Sequence, residues 1–369
     1  MKIYNSFEEI DFTALNHTHP AYLKCMMEGI EKYITNVHAE VKVLSLNGQL
    51  IPFSIYNGHE DSWIHSFKAQ YIDEMVEEVD RMKIHSIQKA LAFQILNFGK
   101  LIFRATGERT ITVFPSFMST TQYEASQFIQ IEQIKAALIS MYPKHAIVFR
   151  TMNEKFDAPH IEELKSLAFQ PLISRAVYCY DPNEKHSKNE RKDMKKDLKR
   201  YKKSEYTVDH QIAPNEFDRL LSLYEQVYLQ KYSQHNPHYT KAFFEYMYQH
   251  LNLSWIIIRD KEGNMVAFMA IDIKDNVLFP AYFGLDTALN DLYFITSGFL
   301  YELANQNKHE INNSAGAKDY KLARGSRPYY EYHYLYTRHL PCISRWSYAL
   351  LFKCFTPIGK RILKASQFQ

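Results

Sequence analysis

Between Ser254 and Asn307 the apolar residues switch from short runs to helical spacing, and this switch restricts the possible folds more than any other stretch. SWIII and VAFMAIDI are β-branched or aromatic runs separated by the turn KEGN, and Asp275-Asn276 sets off a third run, VLFPAYF. Three such runs predict an antiparallel meander. Leu292, Ile295, Phe299 and Leu303 then recur at helical spacing, so a helix is expected to pack on the sheet. The first half shows the same order less sharply. After a helical pattern over 20–35, Val41-Val43 and Ile51-Phe53-Ile55 alternate around Asn47-Gly48, the strongest short-range hairpin signal. Helical patterns over 62–98, a strand pair around Gly107 in LIFRATGERTITVF and a helix over 125–141 follow. The strands AIVFR and RAVYCY then flank a helix carrying Ile161 and Leu164. Strands interleaved with helices in this way predict an α/β (α+β mixed sheet) fold. Two rounds of the pattern in 369 residues predict two domains, each large enough to bury its own core.

Composition and missing motifs remove whole classes of function. A chain that is 46% hydrophobic and 23% charged is folded rather than disordered. Cys25, Cys179, Cys342 and Cys354 lie far apart with no CxxC, which reads as reduced thiols in a cytoplasmic protein. MKIYNSFEEIDF lacks the basic start and apolar stretch of a secretory signal, and no run of about 18 apolar residues occurs. The sequence contains no Walker A, GxGxxG, GxSxG or HExxH motif. His17-x-His19 has no third ligand pattern beside it, so no metal is expected.

The net charge of +3 is too small to define an anionic partner, so partners must be sought where the cations cluster. In KHSKNERKDMKKDLKRYKK, Lys188, Arg191, Lys192, Lys195, Lys196, Lys199, Arg200 and Lys203 fall on one helical face. Met194, Leu198 and Tyr201 form a narrow apolar stripe, and Glu190, Asp193 and Asp197 fill the remaining sector. A helix sorted this way docks by its stripe and turns its basic face outward. The segment 183–204 is therefore expected to connect a domain over 1–182 to one over 205–369. RWSYALLFKCFTPIGKRILK near the C-terminus mixes bulky apolar residues with Arg345, Lys353, Lys360, Arg361 and Lys364. It fits a helix lying on an anionic membrane or a terminal helix packed on its own domain, with a break expected at Pro357-Gly359.

The most site-like segment is 313–332, NSAGAKDYKLARGSRPYYEY. Lys318, Lys321, Arg324 and Arg327 lie within ten residues, between glycines and an aromatic run, and such a concentration points at something negative or electron-rich. Through Gly316, Ala317, Lys321, Arg324, Gly325 and Pro328 the segment resembles the C-terminal signature of Fem-like proteins of the GNAT acyltransferase superfamily. The resemblance extends to the peptidoglycan-biosynthesis-like and biotin-cluster-associated branches, and less specifically back to about Trp255.

The resemblance implies tandem GNAT-like domains and N-acylation of a small-molecule or lipid amine. The donor would be acyl-CoA or an acyl carrier protein, and the setting the cytoplasm or the inner face of a membrane. Such chemistry needs positioned reactants, removal of a proton and an oxyanion site. Lys321, Arg324, Tyr320 and Glu331 are the catalytic candidates, Lys321 and Arg324 as a clamp on a phosphate or carboxylate. Ser119 and Thr120 in the first half, and Thr296, Ser297, Gly298, Gly316 and Lys318 in the second, are the candidates for holding the donor. The usual Gln/Arg-x-x-Gly-x-Gly/Ala donor loop is missing from both halves, so two other readings stay open. One is a tRNA-dependent aminoacyltransferase, which is less expected because the basic helix face lacks stacking aromatics. The other is an inactive GNAT-fold binding module.

Overall fold

Two chain reversals set the strand registers. Asn47 and Gly48 both take positive φ, 47° and 81°, and Asp275 and Asn276 do the same at 49° and 61°. Backbones of this kind match the right-handed twist of the flanking strands, so each closes a two-residue hairpin. Leu46 pairs with Gln49 in one, and Lys274 with Val277 in the other.

The computed structural model describes residues 1–12, 19–59, 62–82 and 85–365. Its strands are β1 (Lys2–Tyr4), β2 (Glu40–Leu46), β3 (Gln49–Asn57), β4 (Arg109–Val113), β5 (Ala146–Asn153), β6 (Gln170–Tyr180), β7 (Thr207–Asp209), β8 (Ser254–Arg259), β9 (Met265–Lys274), β10 (Val277–Leu285), β11 (Glu310–Asn312) and β12 (Arg327–Tyr336). Its helices are α1 (Pro20–Met27), α2 (Glu74–Arg81), α3 (Ser86–Thr106), α4 (Ile131–Met141), α5 (Ala158–Ser166), α6 (Lys188–Lys203), α7 (Phe217–Glu225), α8 (Lys241–His250), α9 (Leu292–Asn307), α10 (Lys318–Leu322) and α11 (Cys342–Ala365). Contacts gather them into two units. The first holds residues 1–174, 233–238 and 331–369, and the second holds 175–232 and 239–330.

In the first unit β1, β2, β3 and β4 pair antiparallel in turn. β5 then runs parallel to β4, and residues 331–336 of β12 close antiparallel on β5. Phe67, Ile102, Phe103, Val148, Leu335 and Leu351 meet in its core, with α11 packed on α3. In the second unit β7, β8, β9 and β10 pair antiparallel, β11 runs parallel to β10, and Cys179 and Tyr180 of β6 close antiparallel on β11. Ile256, Ile258, Met269, Leu278, Ile295 and Tyr301 form its core. Burying each such side chain stabilises the fold by about 1.5–3 kcal/mol. Each unit therefore runs through a meander, a helix, a parallel strand and a last antiparallel strand. This is the mixed α/β architecture expected.

Several local expectations change. Residues 331–369, assigned by chain order to the second domain, belong to the first unit because β12 pairs with β5 and α11 packs on α3. The basic helix α6 lies within the second unit. LIFRAT is the end of α3 rather than a strand, since its apolar residues continue the helical period and Gly107 ends the helix. Pro357 lies inside α11, which continues to Ala365 instead of breaking there. His17 lies outside the described residues. Among those residues no group of side chains could hold a metal ion, and no helix is long and apolar enough to cross a membrane.

Candidate functional site

The helix α6 begins where a capping box allows it. Ser187 Oγ accepts from the Glu190 backbone N–H at 3.2 Å, and Glu190 Oε2 accepts from the Ser187 N–H at 2.7 Å. The helix then crosses α9 at Gly298, where an added Cβ would lie 3.0 Å from Asp197 Cβ. Thr296 and Ser297, next to it in α9, are also buried, and Thr296 Oγ1 donates to the Leu292 carbonyl at 2.8 Å. Gly298 is thus small because two helices meet there, and all three candidates for holding the donor lie inside α9 rather than before its start.

Asp197 is the centre of this cluster. It is fully buried, yet Arg324 donates to it twice, Nε to Oδ2 at 2.5 Å and Nη2 to Oδ1 at 2.8 Å. The Tyr320 hydroxyl donates to Oδ2 at 2.9 Å, and Arg200 Nη1 donates to Oδ1 at 2.9 Å. The Arg324 guanidinium also lies 3.5 Å from the centre of the Tyr320 ring, a cation–π contact. Burial, reinforced by the Asp197 charge, raises the Tyr320 pKa far above the phenol range, so the hydroxyl remains a donor. Sequence reasoning placed Asp197 with the polar residues of α6. Its spacing of three from Met194 and four from Tyr201 instead sets it within the apolar stripe, and that was the available signal.

Lys321 is also turned inward. Its Nζ donates to the carbonyls of Asn313 at 2.6 Å, Ser314 at 3.3 Å and Ala315 at 2.7 Å. Burial lowers its pKa to about 7, while the three carbonyl oxygens favour the ammonium form. Gly325 has φ 85°, and a methyl group there would overlap the His186 ring. Gly316 is exposed, Lys318 is half-buried at the start of α10, and Arg327 Nη1 donates to Glu190 Oε1 at 3.0 Å. The cations that suggested an external anion are answered largely by Asp197, Glu190 and backbone carbonyls.

Beside this cluster the parallel strands part. β10 pairs with β11 only at Val277 and Leu278 and then continues to Leu285. The chain after β11 stays with β6 instead, through Asn313 N–H to the Tyr178 carbonyl at 2.9 Å and Tyr178 N–H to the Ser314 carbonyl at 3.2 Å. The Asn313 side chain is fixed by Tyr301 and Ser326, its Nδ2 donating to their oxygens at 3.0 and 3.2 Å. Beyond Leu278, β10 therefore runs on without β11 as its ladder partner, while the turn gathered by Lys321 follows β6.

The first unit treats the same position differently. β4 leaves the sheet at Phe114, and its following segment folds over the end of β5. Thr121 N–H donates to Thr151 Oγ1 at 2.8 Å, and the Tyr123 hydroxyl donates to the Arg150 carbonyl at 2.9 Å. Here the structure brings two candidates together, because Thr120 Oγ1 donates to the fully buried Glu331 at 2.8 Å. Ser119 is half-buried beside them. Glu331 is therefore in the first unit, and Lys321, Arg324 and Tyr320 are in the second. His333, also fully buried, accepts from the Thr151 N–H at Nδ1 (3.2 Å) and lies 3.0 Å from Gln70 Oε1 at Nε2, so its proton sits on Nε2.

Residues 180–346 match the family model FemAB_like, described as peptidoglycan biosynthesis/recognition. No curated protein matches the chain. Among solved structures, L-PGS from Bacillus licheniformis is similar at 12% identity over 66% of this chain and 82% of that one, with a TM-score of 0.48. FemX is similar at 9% identity over 91% and 97%, with a TM-score of 0.48. A GCN5-related N-acetyltransferase from Kribbella flavida is similar at 10% identity over 62% and 82%, with a TM-score of 0.32. The matched residues, 180–346, hold the parted strands, the buried Asp197 cluster and the Gly316–Pro328 segment, and it is through this part that the chain resembles the FemAB-like family.

Proposed function

We propose that the second unit transfers an acyl group from a thioester donor, acyl-CoA or an acyl carrier protein, to the amine of a small molecule or lipid. The supporting observation is the parting of β10 from β11 after Leu278, inside the family-matched region. A strand that runs on past its parallel neighbour can lie against an extended donor arm through main-chain hydrogen bonds. The amine attacks the thioester carbonyl as a neutral nucleophile, the C–S bond breaks, the thiol leaves, and the amine's proton passes to a base or solvent. Lys321 acts in this reading as a positioning residue. It gathers the carbonyls of Asn313 to Ala315 just after β11 and so fixes the backbone beside the parted strands.

Aminoacyl transfer from tRNA is the second reading, supported by Lys188, Arg191, Lys192, Lys195, Lys196 and Lys199, all exposed on α6. The two readings separate in one experiment. Hydrogen exchange is followed across 279–285 with acetyl-CoA, a long-chain acyl-CoA, an acyl carrier protein or aminoacyl-tRNA present. Protection by a thioester donor, with label transferred to an amine, supports the first reading. Protection by aminoacyl-tRNA alone, with binding that falls log-linearly with salt, establishes the second. No protection by any donor overturns both.

A further inference from the structure

In the first unit, helices α3 and α11 pack together and share a composition found nowhere else in the chain. Across Ser86–Thr106 and Cys342–Ala365 there are eight Lys and Arg and no Asp or Glu. Since the whole chain is +3, the remainder carries 36 cations against 41 acids, a balance of −5. The same two helices also expose large apolar side chains. On α3, Ile87, Leu91, Ile95, Phe98 and Leu101 are 60 to 72% exposed and share one helical face. On α11, Ile343 and Trp346 are 74% and 70% exposed, with Leu350 beside them at 39%. No residue from Ser86 to Phe98 is buried, so half of α3 contributes little to its own core.

A monomer rarely leaves this much apolar surface uncovered without a use for it. The charge decides which occupant fits. A second copy docked face to face would set Lys100, Arg104 and Lys353 against their own duplicates, with no carboxylate on either helix to answer them. An anionic bilayer answers both features at once, taking the apolar stripe among its acyl chains and the cations among its headgroups. Lys89 pairs with Asp80 at 2.7 Å, and Glu108 is the acidic neighbour of Lys100 and Arg104. We infer that the α3/α11 face docks the protein on an anionic membrane surface. The docking does not depend on which donor or acceptor the second unit uses.

Trp346 supplies the test, since Trp63 is half-buried and Trp255 only 5% exposed. The protein is mixed with vesicles of phosphatidylcholine alone or with phosphatidylglycerol added, and both co-sedimentation and Trp346 emission are followed. Binding is expected to be at least about tenfold tighter with phosphatidylglycerol and to weaken above about 0.15 M salt, with a blue shift in emission. Leu91→Ser with Phe98→Ser should abolish the blue shift while leaving a weak, salt-reversible attachment. Lys100→Glu, Arg104→Glu and Lys353→Glu together should remove the preference for anionic lipid. All the substituted positions lie outside the core, and circular dichroism confirms that each variant folds. Trp346 emission unmoved by anionic vesicles overturns the inference. So does sedimentation showing a dimer that Leu91→Ser and Phe98→Ser dissociate, because that face would then join two copies.

Discussion

Arg324 grips Asp197 through two parallel hydrogen bonds, joining residues 127 positions apart in the chain with both partners buried. The pair ties the segment after α10 to the basic helix. Removing Asp197 strands the buried Arg324 guanidinium, which costs about 3–5 kcal/mol, whereas removing Arg324 leaves Asp197 its bonds from Arg200 and Tyr320 and costs less.

Asp197→Ala is therefore expected to lower the stability of the second unit by about 3–5 kcal/mol in urea unfolding, and Arg324→Ala by less, because Arg200 and Tyr320 still answer the carboxylate. Asp197→Leu combined with Arg324→Leu should cost clearly less than the sum of the single changes, since neither charge is then stranded. If Arg324→Ala instead leaves stability unchanged and removes only activity, the guanidinium serves the reaction rather than the loop.

Gly325 gives a backbone prediction. At φ 85° and against the His186 ring, Gly325→Ala should destabilise by more than about 1 kcal/mol. Adding His186→Gly removes the overlap but not the backbone strain, so it should recover only part of the loss. Full recovery would show that the left-handed conformation costs nothing here.

Acid should unfold the first unit through its buried imidazoles. Burial, with the Arg150 charge adding to it, lowers the His65 pKa to about 3, and burial likewise lowers His145 to about 4. Below about 6.5 the unfolded chain binds protons that the folded one refuses, so stability falls as pH drops from 6.5 toward 3, by up to about 1.4 kcal/mol per unit for the fully buried His65 and by much less for the half-exposed, solvent-screened His145. His65→Gln should flatten that slope, as read from urea midpoints between pH 7 and 4. An unchanged slope would mean that His65 is charged in the fold.

The parts of the fold that were legible in the sequence are those whose cause is local. Asn47-Gly48 and Asp275-Asn276 carry their turns in their own backbone preferences, and the helix through Leu292 and Leu303 carries its period. The Gly316–Pro328 segment was equally plain. What stayed hidden depends on distant partners. LIFRAT reads as a strand until α11 supplies the apolar surface it packs on, and Glu331 shows its neighbour only when β12 brings it to Thr120, 211 residues away. Of the two cations expected to clamp a reactant, Lys321 is held by backbone carbonyls and Arg324 by a carboxylate partner within the protein. That partner, Asp197, was concealed in the most basic stretch of the chain, where a single carboxylate inside the apolar stripe is easily taken for one more solvated charge.

The closing of β12 on β5 bears on how the protein is made. As the ribosome delivers the chain, β1 to β5 are complete by Asn153, but the strand that completes their sheet begins at Glu331 and the helix that covers α3 begins at Cys342. The second unit, nearly contiguous, can finish first, while the edge of β5 and the apolar surface of α3 wait through some 180 further residues, a delay of about 10–35 s at ordinary elongation rates. A nascent chain stalled or truncated before residue 331 would thus present an unpaired strand edge, which makes residues 331–365 a requirement for the strands laid down before residue 154.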